Sequence, residues 1–144
     1  MTKDKARVAL VTGGMGGLGE AICLKLEDLG YTVVTTYSPG NTKADEWLAS
    51  MKASGHNFRA YPCDVADWES AAACVKKVND EVGPVEVLVN NAGITRDMTF
   101  KKMDKANWDA VLKTNLDSCF NMSKQVCDAM AERGWGRIVN VSSV

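Results

Sequence analysis

Val11-Thr12-Gly13-Gly14-Met15-Gly16-Gly17-Leu18-Gly19 places five glycines within seven residues, between two segments of different period. Before it, Arg7-Val8-Ala9-Leu10-Val11 is a short apolar, β-rich run; after it, Leu18, Ala21, Ile22, Leu26 and Leu29 recur at helical spacing until Gly30. The stretch therefore joins a strand to a helix. Glycine tolerates positive φ and carries no Cβ, so the backbone here can approach a ligand closely. The helix that follows presents free N–H groups and the positive end of its dipole, which suits a pyrophosphate. Five glycines exceed what a tight turn needs and point to cofactor binding. No Gly-Lys-Ser/Thr follows, which disfavours a nucleoside-triphosphate P-loop.

Outward from this loop, strands and helices alternate. Tyr31-Thr32-Val33-Val34-Thr35-Thr36-Tyr37 is almost wholly β-branched or aromatic and reads as a strand that Ser38-Pro39-Gly40-Asn41 breaks. Residues 43–54 read as a helix and 57–61 as a third strand; Asp67 is the expected N-cap of a helix running through Val82, closed by Gly83-Pro84. Residues 85–89 and 137–141 form the fourth and fifth strands, separated by two helical stretches at 104–117 and 119–133. Strands joined by helical crossovers imply right-handed βαβ units and a parallel sheet covered on both faces. The nearly continuous apolar runs of the last two strands fit such burial. The expected fold class is α/β, a Rossmann-type doubly wound parallel sheet ordered 3-2-1-4-5.

Composition narrows the function. Of 144 residues, 46% are hydrophobic and 24% charged, and seventeen Lys+Arg against eighteen Asp+Glu leave a net charge of −1. No basic field recruits nucleic acid or an anionic membrane, and no apolar run reaches the roughly 20 residues that span a bilayer. Five scattered cysteines contain no Cys-x-x-Cys pair, so neither a disulfide framework nor a metal site is expected and a reducing cytoplasm is the natural compartment. The one histidine, His56 in Ser54-Gly55-His56-Asn57, reads as a solvated turn residue. Trp47, Trp68, Trp108 and Trp135 read as packing residues.

Five ordered motifs resemble those of the short-chain dehydrogenase/reductase family. They are Thr12-Gly13-Gly14-Met15-Gly16-Gly17-Leu18-Gly19, Cys63-Asp64-Val65, Asn90-Asn91-Ala92-Gly93, Lys113-Thr114-Asn115-Leu116 and Asn140-Val141-Ser142-Ser143. The resemblance implies a nicotinamide dinucleotide lying along Gly13, Gly14, Met15, Gly16, Gly17, Leu18 and Gly19. Asp64, between Cys63 and Val65, would accept from the adenine amino group. Asn91, Ala92 and Gly93, continuing into Ile94 and Thr95, would form the wall beside the nicotinamide ribose, with Asn90 tying strands together. Ser143 would bond the substrate carbonyl oxygen, Ser142 being its alternative, and Asn115 would anchor a water in a proton relay. Within the family, the loops Gly13-Gly14-Met15-Gly16-Gly17, Asn91-Ala92-Gly93-Ile94-Thr95-Arg96-Asp97 and Arg133-Gly134-Trp135-Gly136-Arg137 look most like those of members that reduce acetoacetyl-CoA. Members that reduce 3-oxoacyl groups on acyl carrier protein come next. Asp97 then matches a substrate-contacting position, the substrate being a small-molecule acyl thioester.

The segment after the second strand, Thr36-Tyr37-Ser38-Pro39-Gly40-Asn41-Thr42-Lys43, holds no carboxylate before Asp45. An acidic residue there would select NAD by bonding the ribose 2′-hydroxyl. Ser38 and Asn41 as donors, with Lys43 as the compensating charge, favour NADPH instead. The family's acid, the tyrosine of Tyr-x-x-x-Lys, has no counterpart, since Tyr31, Tyr37 and Tyr61 all lack the lysine and the chain stops at Val144. The expectation is that residues 1–144 are the N-terminal portion of a longer single-domain enzyme, inactive alone; the competing reading is a non-catalytic dinucleotide-binding module. The helix at 119–133 carries Phe120, Met122, Ser123, Val126, Met130 and Ala131, more apolar surface than one sheet covers. Family likeness makes the surplus a two-fold contact within a homotetramer.

Overall fold

The computed structural model describes residues 5–143. Five strands, β1 (Val8–Val11), β2 (Thr32–Tyr37), β3 (Arg59–Pro62), β4 (Val85–Asn90) and β5 (Arg137–Asn140), form one sheet ordered β3-β2-β1-β4-β5. Every pairing is parallel. The switch in strand order falls at β1, between β2 and β4, where an open α/β sheet leaves its ligand crevice.

The central strands bury both faces, and successive residues of β1 serve opposite layers. Val8 and Leu10 join Val75, Val78, Leu88, Met122, Val126 and Met130 on one side. Ala9 and Val11 join Cys23, Val33, Val87 and Val89 on the other, where Ile22, Leu26 and Trp47 also pack. The first layer is capped by α3 (Trp68–Glu81) and α5 (Ser118–Arg133), the second by α1 (Gly17–Asp28) and α2 (Ala44–Ala53). Each fully buried Val or Leu contributes about 1.5–3 kcal/mol, so these two layers hold the sheet together.

Local chemistry sets the boundaries. Asp67 and Asp104 cap α3 and α4 (Lys105–Leu112), accepting from the N–H groups of Ser70 and Asn107. Gly134, with φ of 73°, ends α5 in the left-handed conformation.

Two expectations are corrected, and the apolar residues of the 119–133 helix divide between core and surface. The helices at 104–117 and 119–133 are one helical run: a π turn at Lys113–Asp117 joins α4 to α5 without a break. His56 is not simply solvated; its Nδ1 lies 2.6 Å from Glu27 Oε2, and its ring stacks on Phe58. Met130 is a core residue, 6% exposed, whereas Phe120 on the same helix is 62% exposed.

Candidate functional site

A cleft of about 930 Å³ opens at the carboxyl ends of the strands. It is lined by the glycine loop, the ends of β2 and β3, the chain after β4, the π turn and the chain after β5. Gly13, Gly16, Gly17, Leu18, Gly19, Ser38, Cys63, Asp64, Val65, Asn91, Ala92, Gly93, Ile94, Thr95, Asn115 and Ser143 all reach it. Thr36, Tyr37, Thr114 and Val141 line it as well, and they were not singled out from the sequence.

Five expected residues, Gly14, Met15, Asn41, Lys43 and Asp97, are not among its lining. Gly14 is buried beneath the loop. Met15 is half-buried in the loop without lining the cleft. Lys43 is exposed at the N-cap of α2, where its N–H bonds Asn41 Oδ1 at 2.8 Å. Asp97 is exposed, two positions beyond Thr95, the last lining residue of its loop.

The glycine loop is held by side chains from three neighbouring segments. Thr12 Oγ1 accepts the backbone N–H groups of Asn91 and Ala92, each at 3.0 Å. In return, Asn91 Nδ2 donates to the carbonyls of Thr12 at 3.1 Å and Gly13 at 3.2 Å. The Asn91 amide is thus engaged with the loop, and it lines the cleft as part of that brace. Asn90 acts between strands, donating to Asn140 Oδ1 at 2.9 Å across β4 and β5 and to Ser123 Oγ at 3.2 Å.

Two glycines show why the loop tolerates no side chain on its inner side and space on its outer side. A Cβ on Gly19 would lie 2.3 Å from the Gly13 carbonyl oxygen and 2.8 Å from Asn91 Nδ2. A Cβ on Gly17, which lines the cleft, would meet nothing within 4 Å. Gly16 caps α1 without a side-chain bond, so the first-turn amides are left for an external acceptor.

On the far wall, Asn115 grips the chain after β4. Its Oδ1 accepts from Ile94 N at 2.8 Å and its Nδ2 donates to Ile94 O at 2.9 Å. Both ends of the amide are spent on that loop, and Cys119 Sγ reaches the Asn115 backbone carbonyl at 3.7 Å. At the other end, Asp64 Oδ1 accepts from Ala66 N at 3.1 Å, and Asp64 N donates to Ser70 Oγ at 2.9 Å. Asp64 is the one charged side chain among the described lining residues. Beside it, hydrogen bonding from Cys74 holds the Cys63 thiol below its ordinary value against the opposing pull of burial. No group of three or more potential metal ligands occurs among the described residues.

A parallel sheet ordered 3-2-1-4-5, with a glycine loop and an Asn-Asn-Ala-Gly segment meeting at its switch point, is a dinucleotide-binding type of architecture. Residues 7–144 match the short chain dehydrogenase family, and the chain belongs to it. It is 56% identical over 138 residues to acetoacetyl-CoA reductase of Cupriavidus necator, an alignment covering 96% of this chain and 56% of that protein. To nodulation protein G of Azospirillum brasilense it is 54% identical over 138 residues, with 96% of this chain and 56% of that protein covered. To the 3-oxoacyl-[acyl-carrier-protein] reductase FabG of Staphylococcus aureus it is 40% identical over 144 residues, all of this chain and 57% of that protein. The chain therefore spans little more than half the length of these curated relatives.

Proposed function

We propose that residues 1–144 are the N-terminal, dinucleotide-binding portion of a longer single-domain reductase. With its NADPH cofactor it converts acetoacetyl-CoA into 3-hydroxybutanoyl-CoA. The observation that carries this reading is the convergence, in one cleft, of Gly16 and Gly17, the Asn91-Ala92-Gly93 wall and Ser143. The cleft fits the dinucleotide where it can be tested: a Cβ on Gly17 would enter open space beside unbonded helix-end amides, the setting a pyrophosphate needs. The apolar residues Ile138 and Val139 of β5 stand 37% and 49% exposed, which is consistent with further chain covering them.

The roles follow from position. First-turn amides of α1 hold the pyrophosphate, and Asp64 accepts from the adenine amino group. Ser38, lining the cleft at the end of β2, would hold the 2′-phosphate, with Lys43 supplying charge from outside the lining. The absence of a carboxylate from the lining near Ser38 supports NADPH over NADH. A bound nicotinamide dinucleotide would supply the hydride for reduction of the substrate carbonyl. Ser143 donates to the carbonyl oxygen and stabilises the developing alkoxide. Asn115 would anchor a water in the proton relay from its place on the cleft wall, where its amide is engaged with Ile94. Asp97 contacts the thioester substrate from the loop after β4. The five cysteines are free, and no helix among the described residues is long and apolar enough to cross a membrane; both fit a cytoplasmic enzyme. The exposed side chains of Trp108, Leu112, Leu116 and Phe120 on α4, the π turn and α5 support pairing of two subunits within a homotetramer.

The likeness to FabG over the whole chain supports a second reading, in which the thioester is carried by acyl carrier protein. Replacing Ser143 by Ala in the full-length protein tests the reductase assignment. Loss of one such oxyanion donor lowers kcat by about 10²–10³ with cofactor affinity retained. Unchanged turnover in Ser143→Ala would remove Ser143 from the chemistry.

A further inference from the structure

Buried strands of a parallel sheet are ordinarily continuous apolar runs, because both faces are covered. β2 departs from this. Thr35 and Thr36 follow Val33 and Val34 and are 0% and 1% exposed. A buried hydroxyl costs free energy unless it is fully bonded, so each threonine implies a particular partner.

Thr35 has two. Its Oγ1 donates to the Val11 carbonyl at 2.8 Å and accepts the Gly14 N–H at 2.8 Å. One hydroxyl thereby links the last residue of β1 to the second glycine of the loop. The contact admits no slack. A Cβ on Gly14 would sit 2.0 Å from Thr35 Oγ1 and 2.8 Å from Cys23 Sγ. The Cys23 thiol lies under the same peptide and reaches the Gly14 carbonyl at 3.9 Å. Burial pushes that thiol up to about 12, so it stays a neutral group beneath the loop. Thr36 Oγ1 also accepts from Gly13 N, at a longer 3.4 Å. The loop thus rests on a polar floor contributed by β2 and α1, while Gly16 and Gly17 at its crest face the cleft.

We propose that Thr35 is a positioning residue for the dinucleotide: its hydroxyl fixes the Gly14 peptide, and through it the loop crest that receives the pyrophosphate. Thr35 is absent from the cleft lining and acts only through the loop. The inference rests on the dinucleotide-binding reading given above. Its geometry separates two effects. Loss of the hydroxyl leaves the Gly14 N–H buried without a partner, so the loop must shift to satisfy it. A shifted crest weakens cofactor binding and leaves the reacting groups on the opposite wall untouched.

The test uses the full-length protein with Thr35→Val, which keeps the shape and removes the hydroxyl, and Thr35→Ser, which keeps the hydroxyl. NADPH affinity is measured by titration calorimetry, alongside KM for NADPH, kcat at saturating NADPH and KM for acetoacetyl-CoA. The expected result is that Thr35→Val raises both the Kd and KM for NADPH about tenfold. Its kcat and acetoacetyl-CoA KM stay within about twofold of wild type, and Thr35→Ser binds NADPH within about threefold of wild type. A folded Thr35→Val that binds NADPH as tightly as wild type overturns the proposal, even with a lower melting temperature. If Thr35→Val does not fold, Thr35→Ser decides: affinity retained supports the hydroxyl's role, and tenfold weaker binding overturns it. Wild-type protein that is folded yet binds neither NADPH nor NADH would sink the dinucleotide reading itself, a different outcome from equal binding by wild type and Thr35→Val.

Discussion

At the scale of single residues, Gly17 and Gly19 stand two positions apart and have opposite reasons to be glycine. Gly19 faces inward, with backbone oxygen and the Asn91 amide already where its Cβ would be. Gly19→Ala should therefore destabilise the protein by about 1–3 kcal/mol, the usual cost of overpacking a tight site. Gly17 faces the cleft with open space around it. Gly17→Ala should leave stability within about 1 kcal/mol of wild type, since alanine is the better helix former, while weakening the dinucleotide by tenfold or more. Denaturant midpoints paired with cofactor titrations separate the two. A Gly17→Ala protein that binds the dinucleotide normally would remove the pyrophosphate from the crest of the loop.

At the scale of elements, α1 is latched to the chain after α2 through Glu27. Glu27 Oε1 accepts from Asn57 N at 2.9 Å, and Oε2 lies 2.6 Å from His56 Nδ1. Burial pushes the Glu27 carboxyl up, but the Asn57 N–H and the His56 contacts outweigh it and hold the group below its ordinary value of 4.5. A carboxyl lowered on folding stabilises the fold above that value and loses the contribution as pH falls through the folded one. Glu27→Gln should therefore cost about 1 kcal/mol or less at neutral pH. The difference from wild type should close as pH drops below about 4.5. Melting curves from pH 3 to pH 7 check this, and a gap that widens in acid would contradict it. The sheet order, the cap at Asp67 and the stop at Gly83-Pro84 were legible in the sequence, because each is written in local period or turn chemistry. The latch was not: Glu27 and His56 are 29 residues apart, and nothing near His56 names its partner. The π turn was hidden for a similar reason. Its residues carry ordinary helical propensity, and the run reads as two helices until Asn115 is seen bonded to Ile94, 21 residues away. The candidate site was legible as motifs at strand ends. Lys43 stands outside the cleft lining, because charge and proximity in sequence do not fix which way the start of α2 turns.

At the scale of the whole molecule, α4, the π turn and α5 carry a run of exposed apolar side chains, Trp108, Leu112, Leu116 and Phe120. Met122, Val126 and Met130 of α5 pack into the core. Phe120 is left outside, stacked on Trp68 at 5.7 Å, with Leu116 63% exposed one turn before it. If this face joins subunits, Phe120→Glu in the full-length protein should reduce the mass in solution from tetramer to a smaller species. As an exposed substitution it should change monomer stability by no more than about 0.5 kcal/mol. Light scattering that returns the wild-type mass would place the interface elsewhere. The central claim, that this cleft serves reduction of a 3-oxoacyl thioester, is tested most directly by turnover. The full-length protein is given NADPH and acetoacetyl-CoA, and loss of the reduced nicotinamide absorbance is followed with product identified by mass. NADPH oxidation is expected to be matched mole for mole by 3-hydroxybutanoyl-CoA, faster than with NADH and faster than with the same acyl group on acyl carrier protein. Folded protein that binds NADPH but oxidises none of it with either thioester would contradict the account.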